Sequence, residues 1–189
     1  LISESEDKEE IKEFAKIIHA NNELLLNLIN DILDMSKIEA GILDFLYTEV
    51  EINELIQTLW RSYRFKIKEG VEFRTESYII HTERNRLSQV LANFINNACK
   101  YTFEGMITIG YEIRKDDIYF FVTDTGKGIA EENISRVFDR FAKLDSFTQG
   151  TGLGLSICEL IIKHLGGEIG VESSVGKGST FWCTVPTRK

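Results

Sequence analysis

The chain has 189 residues, 43% of them hydrophobic and 28% charged, which is ordinary for a globular protein with one sizeable core. The formal net charge of −8 argues against broad nucleic-acid binding, and there is no apolar run long enough to span a membrane. The three cysteines are odd in number, far apart and without CxxC spacing, so they predict buried thiols rather than a disulfide or zinc framework.

Residues 8–39 carry a seven-residue repeat that predicts one long helix. Two apolar series are offset by three positions and interrupted once, by Asn21. Their members are Ile11, Ile18, Leu25 and Ile32, and Phe14, Asn21, Leu28 and Met35. The strict period favours a helix of a bundle or dimer over a helix that covers only the core of its own domain. Gly41 is the expected stop.

The rest of the chain alternates between helical and strand-like patterns. The expected helices cover residues 51–68, 83–100, 130–138 and 153–167. The expected strands lie within residues 42–52, 71–77, 105–113, 117–126, 167–174 and 178–186. This order predicts an α+β fold, a two-layer sandwich with a mixed, mainly antiparallel sheet and helices on one face.

Three polar or glycine-rich stretches could bind a nucleotide. GTGLGLSI, residues 150–157, matches neither GxxxxGK[ST] nor GxGxxG and is weak alone. DTGKGI, residues 124–129, ends a strand and offers an Asp acceptor, although a β-turn with a solvated Asp would look the same. In NFINNACKYT, residues 93–102, two asparagines and a lysine share a helical face suited to Mg²⁺ and phosphate, or a merely solvated face.

Taken in order, these stretches resemble the ATP-binding domain of sensor histidine kinases, in the GHKL ATPase superfamily. The resemblance covers residues 45–187 and includes five boxes in the order NxxxNAxK, DxGxG, FDRF, GTGLGL and GxGSTF. The boxes are residues 93–100, 124–128, 138–141, 150–155 and 176–180. LINDILDMSKIEAG, residues 28–41, resembles the end of the second helix of the dimerisation and histidine-phosphotransfer domain. The chain is therefore expected to divide into residues 1–41 and 42–189.

The resemblance implies ATP and Mg²⁺ as cofactors and assigns their ligands. Asp124 accepts the adenine amino group, and Thr180 assists through water. Asn97 is the main Mg²⁺ ligand, with Asn93 beside it.

The phosphates and the ATP lid are assigned in the same way. Lys100 meets phosphate and Tyr101 lines the nucleotide, while residues 139–151 form the lid, whose cations Arg140 and Lys143 contact phosphate. The other expected ATP-binding residues are Gly126, Gly128, Ile129, Gly150, Thr151, Gly152, Leu153, Gly154 and Leu155. The alternating glycines hinge the lid and begin a helix whose N-terminus favours negative charge.

Two departures bear on the reaction. Asn93 stands where hydrolysing relatives such as gyrase have a Glu that activates water, and an amide is a poor base. His19, His81 and His164 all lack the family's acceptor pattern, so we expect them to be structural. We expect the acceptor helix to precede Leu1, and the chain to bind Mg·ATP without autophosphorylating.

The resemblance implies the catalytic part of a kinase that phosphorylates a His, for relay to an Asp of a response regulator receiver domain. It implies a homodimer of the intact kinase through residues 8–39, with no nucleic-acid partner and no direct membrane contact by this chain. The expected location is cytoplasmic, with the intact protein either free or anchored at the inner or plasma membrane. The alternatives are a non-catalytic adaptor with the GHKL fold and a GHKL serine kinase or ATPase.

Overall fold

The computed structural model describes residues 8–42, 45–63, 78–142 and 151–187. The predicted strand at 71–77, the end of the predicted helix 51–68, Lys143 and Gly150 lie outside these ranges. Within them, no helix is both long and apolar enough to cross a membrane.

Helix α1 spans Lys8–Glu39, as the seven-residue repeat predicts. It ends at the expected glycine, because Gly41 has a φ of +66° and its N–H donates to the carbonyl of Ile38. The N–H of Ile42 donates to the carbonyl of Lys37, also at 3.0 Å. These two bonds satisfy carbonyls of the last turn in the pattern of a Schellman motif.

The two series of the repeat face different surroundings. Met35 is buried in the core and Leu28 packs against it. Ile18, Leu25 and Ile32 of the other series remain 45–54% exposed. Helix α1 therefore covers part of its own domain on one side and presents an apolar stripe on another, which combines the two interpretations of the repeat.

The sheets are antiparallel throughout the described residues. Strands β1 (Thr48–Glu51) and β2 (Ile79–Thr82) form a two-stranded ribbon. The main sheet has the order β3-β4-β6-β5. Its strands are β3 (Ile107–Ile113), β4 (Asp117–Asp124), β5 (Ile169–Ser174) and β6 (Gly178–Pro186). The predicted α+β sandwich is confirmed, with β2 as a four-residue strand that the sequence patterns did not indicate.

The remaining helices form the second layer of the sandwich. They are α2 (Ile52–Tyr63), α3 (Arg84–Tyr101), α4 (Glu131–Ile134) and α5 (Gly154–Leu165). Alternate residues of β4, such as Phe120, are buried on the face that α3 covers. Helix α5 packs on β5 and β6, and the ring centroids of Phe94 of α3 and Phe181 of β6 lie 5.7 Å apart. Helix α4 is shorter than the predicted 130–138 because residues after Ile134 continue as turns.

A buried glutamate begins α3, the helix that carries the polar face. Glu83 is only 4% exposed, and its carboxylate accepts the N–H groups of Asn85 (3.3 Å) and Arg86. We expect Glu83→Ala to lower the free energy of unfolding by about 1–2 kcal/mol, because two N-terminal donors lose their acceptor. Glu83→Gln keeps an acceptor and should lose less, and equal losses in urea denaturation would contradict the capping role.

Candidate nucleotide-binding site

A cavity of about 840 Å³ lies between α1, α3, the start of α5 and the ends of β4 and β6, a volume typical of cofactor sites. Most of the predicted site residues lie in its wall. They are Asn93, Asn97, Lys100, Tyr101, Asp124, Gly128, Ile129, Thr151, Gly152, Gly154 and Leu155. Residues from three boxes that are distant in the sequence thus converge on one cavity.

Asp124 is a buried acceptor at the end of β4. Its side chain is only 4% exposed, and its Oδ1 accepts the N–H of Gly126 at 2.8 Å and the hydroxyl of Thr102 at 3.4 Å. Burial raises the pKa of Asp124, and the hydrogen bonds from Gly126, Ser179 and Thr102 partly offset the rise. A carboxylate held in this way is suited to accept a hydrogen bond from the amino group of a base.

The glycines beside Asp124 are required by close backbone contacts. Gly128 has a φ of +69°, and a Cβ at this position would lie 2.0 Å from the carbonyl oxygen of Ser174. A Cβ on Gly126 would lie 2.4 Å from the carbonyl oxygen of Tyr101. Side chains here would displace the loop that holds Asp124, so the glycines keep this end of the cavity open.

The polar face of α3 forms the opposite wall. Asn93 and Asn97 both line the cavity, as their four-residue spacing predicts. Asn93 also lies against the start of α5, since a Cβ on Gly154 would come within 2.6 Å of its Oδ1. The ammonium groups of Lys100 of α3 and of Lys127, in the loop after β4, lie 5.0 and 4.7 Å from the ring centroid of Tyr101. They place two positive charges at this part of the cavity.

The donor set fits magnesium held jointly with a nucleotide. The described residues contain no cluster of three or more His, Cys, Asp or Glu side chains that could hold a metal ion by themselves. Mg²⁺ commonly takes one or two protein oxygens and completes its shell with phosphates and water. The amide oxygens of Asn93 and Asn97, in the same cavity as Lys100, can supply such ligands.

Several predicted site residues lie elsewhere. Thr180 does not line the cavity, and its hydroxyl lies 3.0 Å from that of Thr123. Arg140 is exposed and forms an ion pair with Glu39 of α1. Leu153 is fully buried, and its N–H donates to the hydroxyl of Thr151 at 3.2 Å.

Ser179, Lys127 and Asp31 line the cavity although the sequence patterns did not single them out. Ser179 is paired with Asp124 across the antiparallel strands, so both side chains point to the same face, whereas Thr180 is paired with Thr123 on the other face. Lys127 lies inside DTGKGI, and its positive charge within that stretch could have identified it as a candidate phosphate-binding residue.

The three histidines have structural contacts outside the cavity. His19 lies 3.3 Å from Glu23 on the exposed side of α1. The rings of His81 and His164 stack on Tyr47 and Phe45, with centroids 5.9 and 3.8 Å apart. These two stacks hold the segment that joins α1 to β1 against the domain, which agrees with the structural interpretation of both histidines.

A family model supports the same assignment from independent information. Residues 82–189 match the family of histidine kinase-, DNA gyrase B- and HSP90-like ATPases, and this match covers more than half of the chain. The chain therefore belongs to this ATPase family.

Within that family, its relatives are sensor histidine kinases. The chain is 37% identical over 190 residues to hybrid signal transduction histidine kinase B of Dictyostelium discoideum, covering 93% of this chain and 10% of the relative. It is 35% identical over 199 residues to the autoinducer 2 sensor kinase/phosphatase LuxQ of Vibrio vulnificus, covering 97% of this chain and 23% of the relative. The chain thus spans a quarter or less of these two relatives.

Solved structures show the same fold. Full-length ShkA in complex with AMPPNP superposes with a TM-score of 0.79 at 26% identity, over 100% of this chain and 41% of ShkA. The catalytic domain of histidine kinase ThkA gives a TM-score of 0.66 at 33% identity, over 76% of this chain and 97% of that domain. Acinetobacter baumannii histidine kinase AdeS, at 24% identity, has a TM-score of 0.78 over 98% of this chain and 87% of AdeS.

Proposed function

We propose that this chain is the catalytic ATP-binding part of a sensor histidine kinase and that its cavity binds Mg·ATP. The observation that carries the proposal is the convergence of a buried carboxylate, Asp124, and the amide and ammonium groups of α3 on one cavity. The adenine amino group donates to Asp124, while Asn93, Asn97 and Lys100 face the metal and the phosphates. ShkA, a structural neighbour over the whole chain, was solved with an ATP analogue, which supports the same ligand class.

Asn93 favours phosphoryl transfer to a protein side chain over hydrolysis. Its amide cannot take a proton from water at neutral pH, so the cavity lacks a general base at this position. Mg²⁺, when bound with the nucleotide, neutralises charge on the transferred phosphoryl group. The remaining contribution of Asn97, Lys100 and the N-terminus of α5 is to orient the phosphates and stabilise their charge.

The proposed acceptor is a His on the other helix of the dimerisation and phosphotransfer domain, and the final acceptor is an Asp of a response regulator. In this proposal residues 1–41 belong to that domain and residues 42–189 to the catalytic domain. The exposed apolar stripe of α1, with Ile18, Leu25 and Ile32, fits a bundle helix that meets a second subunit.

The metal assignment predicts that Asn97→Ala weakens binding of a non-hydrolysable ATP analogue about tenfold or more in the presence of Mg²⁺. Without Mg²⁺, in EDTA, we expect wild type and variant to bind the analogue with similar affinity, because only the metal contact is lost. Asn85→Ala is the matched control, since Asn85 is an exposed residue of α3 that does not line the cavity. Equal weakening with and without Mg²⁺ would contradict the assignment of Asn97 as the ligand.

A further inference from the structure

The first observation is a carboxylate of α1 in the wall of the proposed ATP site. Asp31 lines the cavity, and its Oδ2 accepts the hydroxyl of Thr151 at 2.8 Å. That hydroxyl oxygen in turn accepts the N–H of Leu153, the N-cap residue of α5. Asp31 therefore reaches the positive end of α5 through one hydroxyl group, on the side where nucleotide phosphates are expected.

Two further carboxylates of α1 hold the helix in this position. Asp34 accepts Arg86 at 2.8 Å and Gln89 at 3.0 Å, both on α3, and the Asp34–Arg86 pair is largely shielded from solvent. Glu39 pairs with Arg140, one of the two cations expected to contact phosphate. The three acidic side chains, Asp31, Asp34 and Glu39, are named the acidic face of α1. Its contacts reach α3, Thr151 just before α5, and Arg140.

The acidic face is unfavourable for a bound triphosphate. Asp31 is the member of the acidic face that lies in the wall of the cavity in which we place several phosphate charges. Glu23, a more exposed carboxylate of α1 outside this face, lies in the same wall. Burial raises the pKa of Asp31, as expected for a carboxylate that is partly removed from solvent. Arg140 is also paired with Glu39, which partly compensates its positive charge before a phosphate can bind it. Docked α1 thus opposes nucleotide binding by charge repulsion and by competition for one cation.

We propose that the acidic face of α1 is an intramolecular antagonist of Mg·ATP, so that docking of α1 on the catalytic domain and binding of nucleotide disfavour each other. The inference rests on the proposed function and concerns regulation of the same site. Because coupling between two binding equilibria is reciprocal, nucleotide weakens docking by the same factor by which docking weakens nucleotide binding. Movement of α1 would then set the affinity for ATP without any change in the ATP-binding residues.

The test is calorimetric titration of the chain with a non-hydrolysable ATP analogue and Mg²⁺. We expect Asp31→Asn to bind the analogue about fivefold or more tighter than wild type. Glu13→Gln is the control, because it removes the same charge from an exposed position of α1 outside the cavity wall and should leave the affinity unchanged. Weaker binding by Asp31→Asn would overturn the proposal, since it would show that Asp31 supports nucleotide binding rather than opposing it.

A second variant tests the docking of α1 more directly. Asp34 lies outside the cavity wall and holds α1 to Arg86 and Gln89 of α3, so we expect Asp34→Asn to loosen the docking of α1. We expect the Asp34→Asn variant to bind the analogue more tightly than wild type. In the wild-type protein, addition of nucleotide should speed the hydrogen exchange of residues 24–36. Unchanged affinity in both variants, with normal binding by wild type, would overturn the antagonism alone. If neither the wild type nor any variant binds the analogue, the proposed function itself is contradicted.

Discussion

Replacing Asp124 with Asn should abolish measurable binding of ATP while the protein stays folded. The variant presents either an amide oxygen, a weaker acceptor than the carboxylate, or an amide N–H₂ that faces the adenine amino group donor to donor. The variant loses one charge-assisted hydrogen bond and leaves a buried donor unpaired, which together lower the affinity for ATP by at least about 100-fold. The amide oxygen can still accept the N–H of Gly126, so the loop keeps its local support.

The same variant should be more stable than wild type at neutral pH. Burial raises the pKa of Asp124 above the ordinary value of 3.8, so the charged form is disfavoured in the folded state. Its stabilising contribution is full below pH 3.8 and is lost as the pH rises through the raised pKa of the folded state. The difference in unfolding free energy, Asp124→Asn minus wild type, should therefore grow with pH across that window and then level off.

Urea denaturation at several pH values and calorimetric titration with an ATP analogue test the two halves of this prediction. Asp116→Asn is the matched control, because Asp116 is an exposed carboxylate in the β3–β4 turn and should change neither quantity. Wild-type affinity of the Asp124→Asn protein for the analogue would contradict the assignment of Asp124 to the adenine amino group.

Gly178→Ala should destabilise the protein far more than Gly176→Ala, although both glycines have positive φ, Gly176 in the β5–β6 turn and Gly178 at the start of β6. A Cβ on Gly178, where φ is +95°, would lie 1.9 Å from the carbonyl oxygen of Asp124, whereas a Cβ on Gly176, where φ is +74°, has nothing within 4 Å. Backbone strain alone costs about 1–2 kcal/mol, and overpacking adds about 1–3 kcal/mol. We expect losses of about 2–5 kcal/mol for Gly178→Ala and about 1–2 kcal/mol for Gly176→Ala.

The added methyl group in Gly178→Ala clashes with Asp124, the residue that we assign to adenine. The variant should therefore lose affinity for the ATP analogue as well as stability. Displacing the carbonyl of Asp124 moves the end of β4 and with it the carboxylate. Thermal unfolding and analogue binding of both variants provide the measurement. Similar stability of the two proteins would show that the backbone at this turn yields easily and that Gly178 does not fix the position of Asp124.

The residues that line the cavity could be predicted largely because the boxes are local. Asn93 and Asn97 share a face in any regular helix. The glycines that follow Asp124 indicate close backbone contacts around that residue. Thr180 shows where such reasoning ends. Whether Thr180 or Ser179 faces the cavity depends on the register of β6 against β4, and one residue of shift exchanges the two faces.

The docking of α1 could not be predicted from its repeat. A seven-residue period defines an apolar stripe but does not say which surface covers it, and here Met35 enters the core while Leu25 stays exposed. Nothing in the sequence distinguishes Asp31 from a solvated carboxylate on the surface of a helix. Its contact with Thr151 joins residues 120 positions apart and exists only because α1 folds back onto the start of α5.

The most direct test of the central claim is base selectivity, measured by titrating the wild-type chain with non-hydrolysable analogues of ATP and GTP in Mg²⁺. In the proposed site Asp124 accepts a hydrogen bond from the exocyclic amino group of adenine, and guanine presents a carbonyl oxygen at that position. The account predicts saturable one-to-one binding of the ATP analogue and binding of the GTP analogue at least about 100-fold weaker. Equal affinity for the two analogues, or no binding of either, would contradict the assignment of this cavity as an adenine-specific nucleotide site.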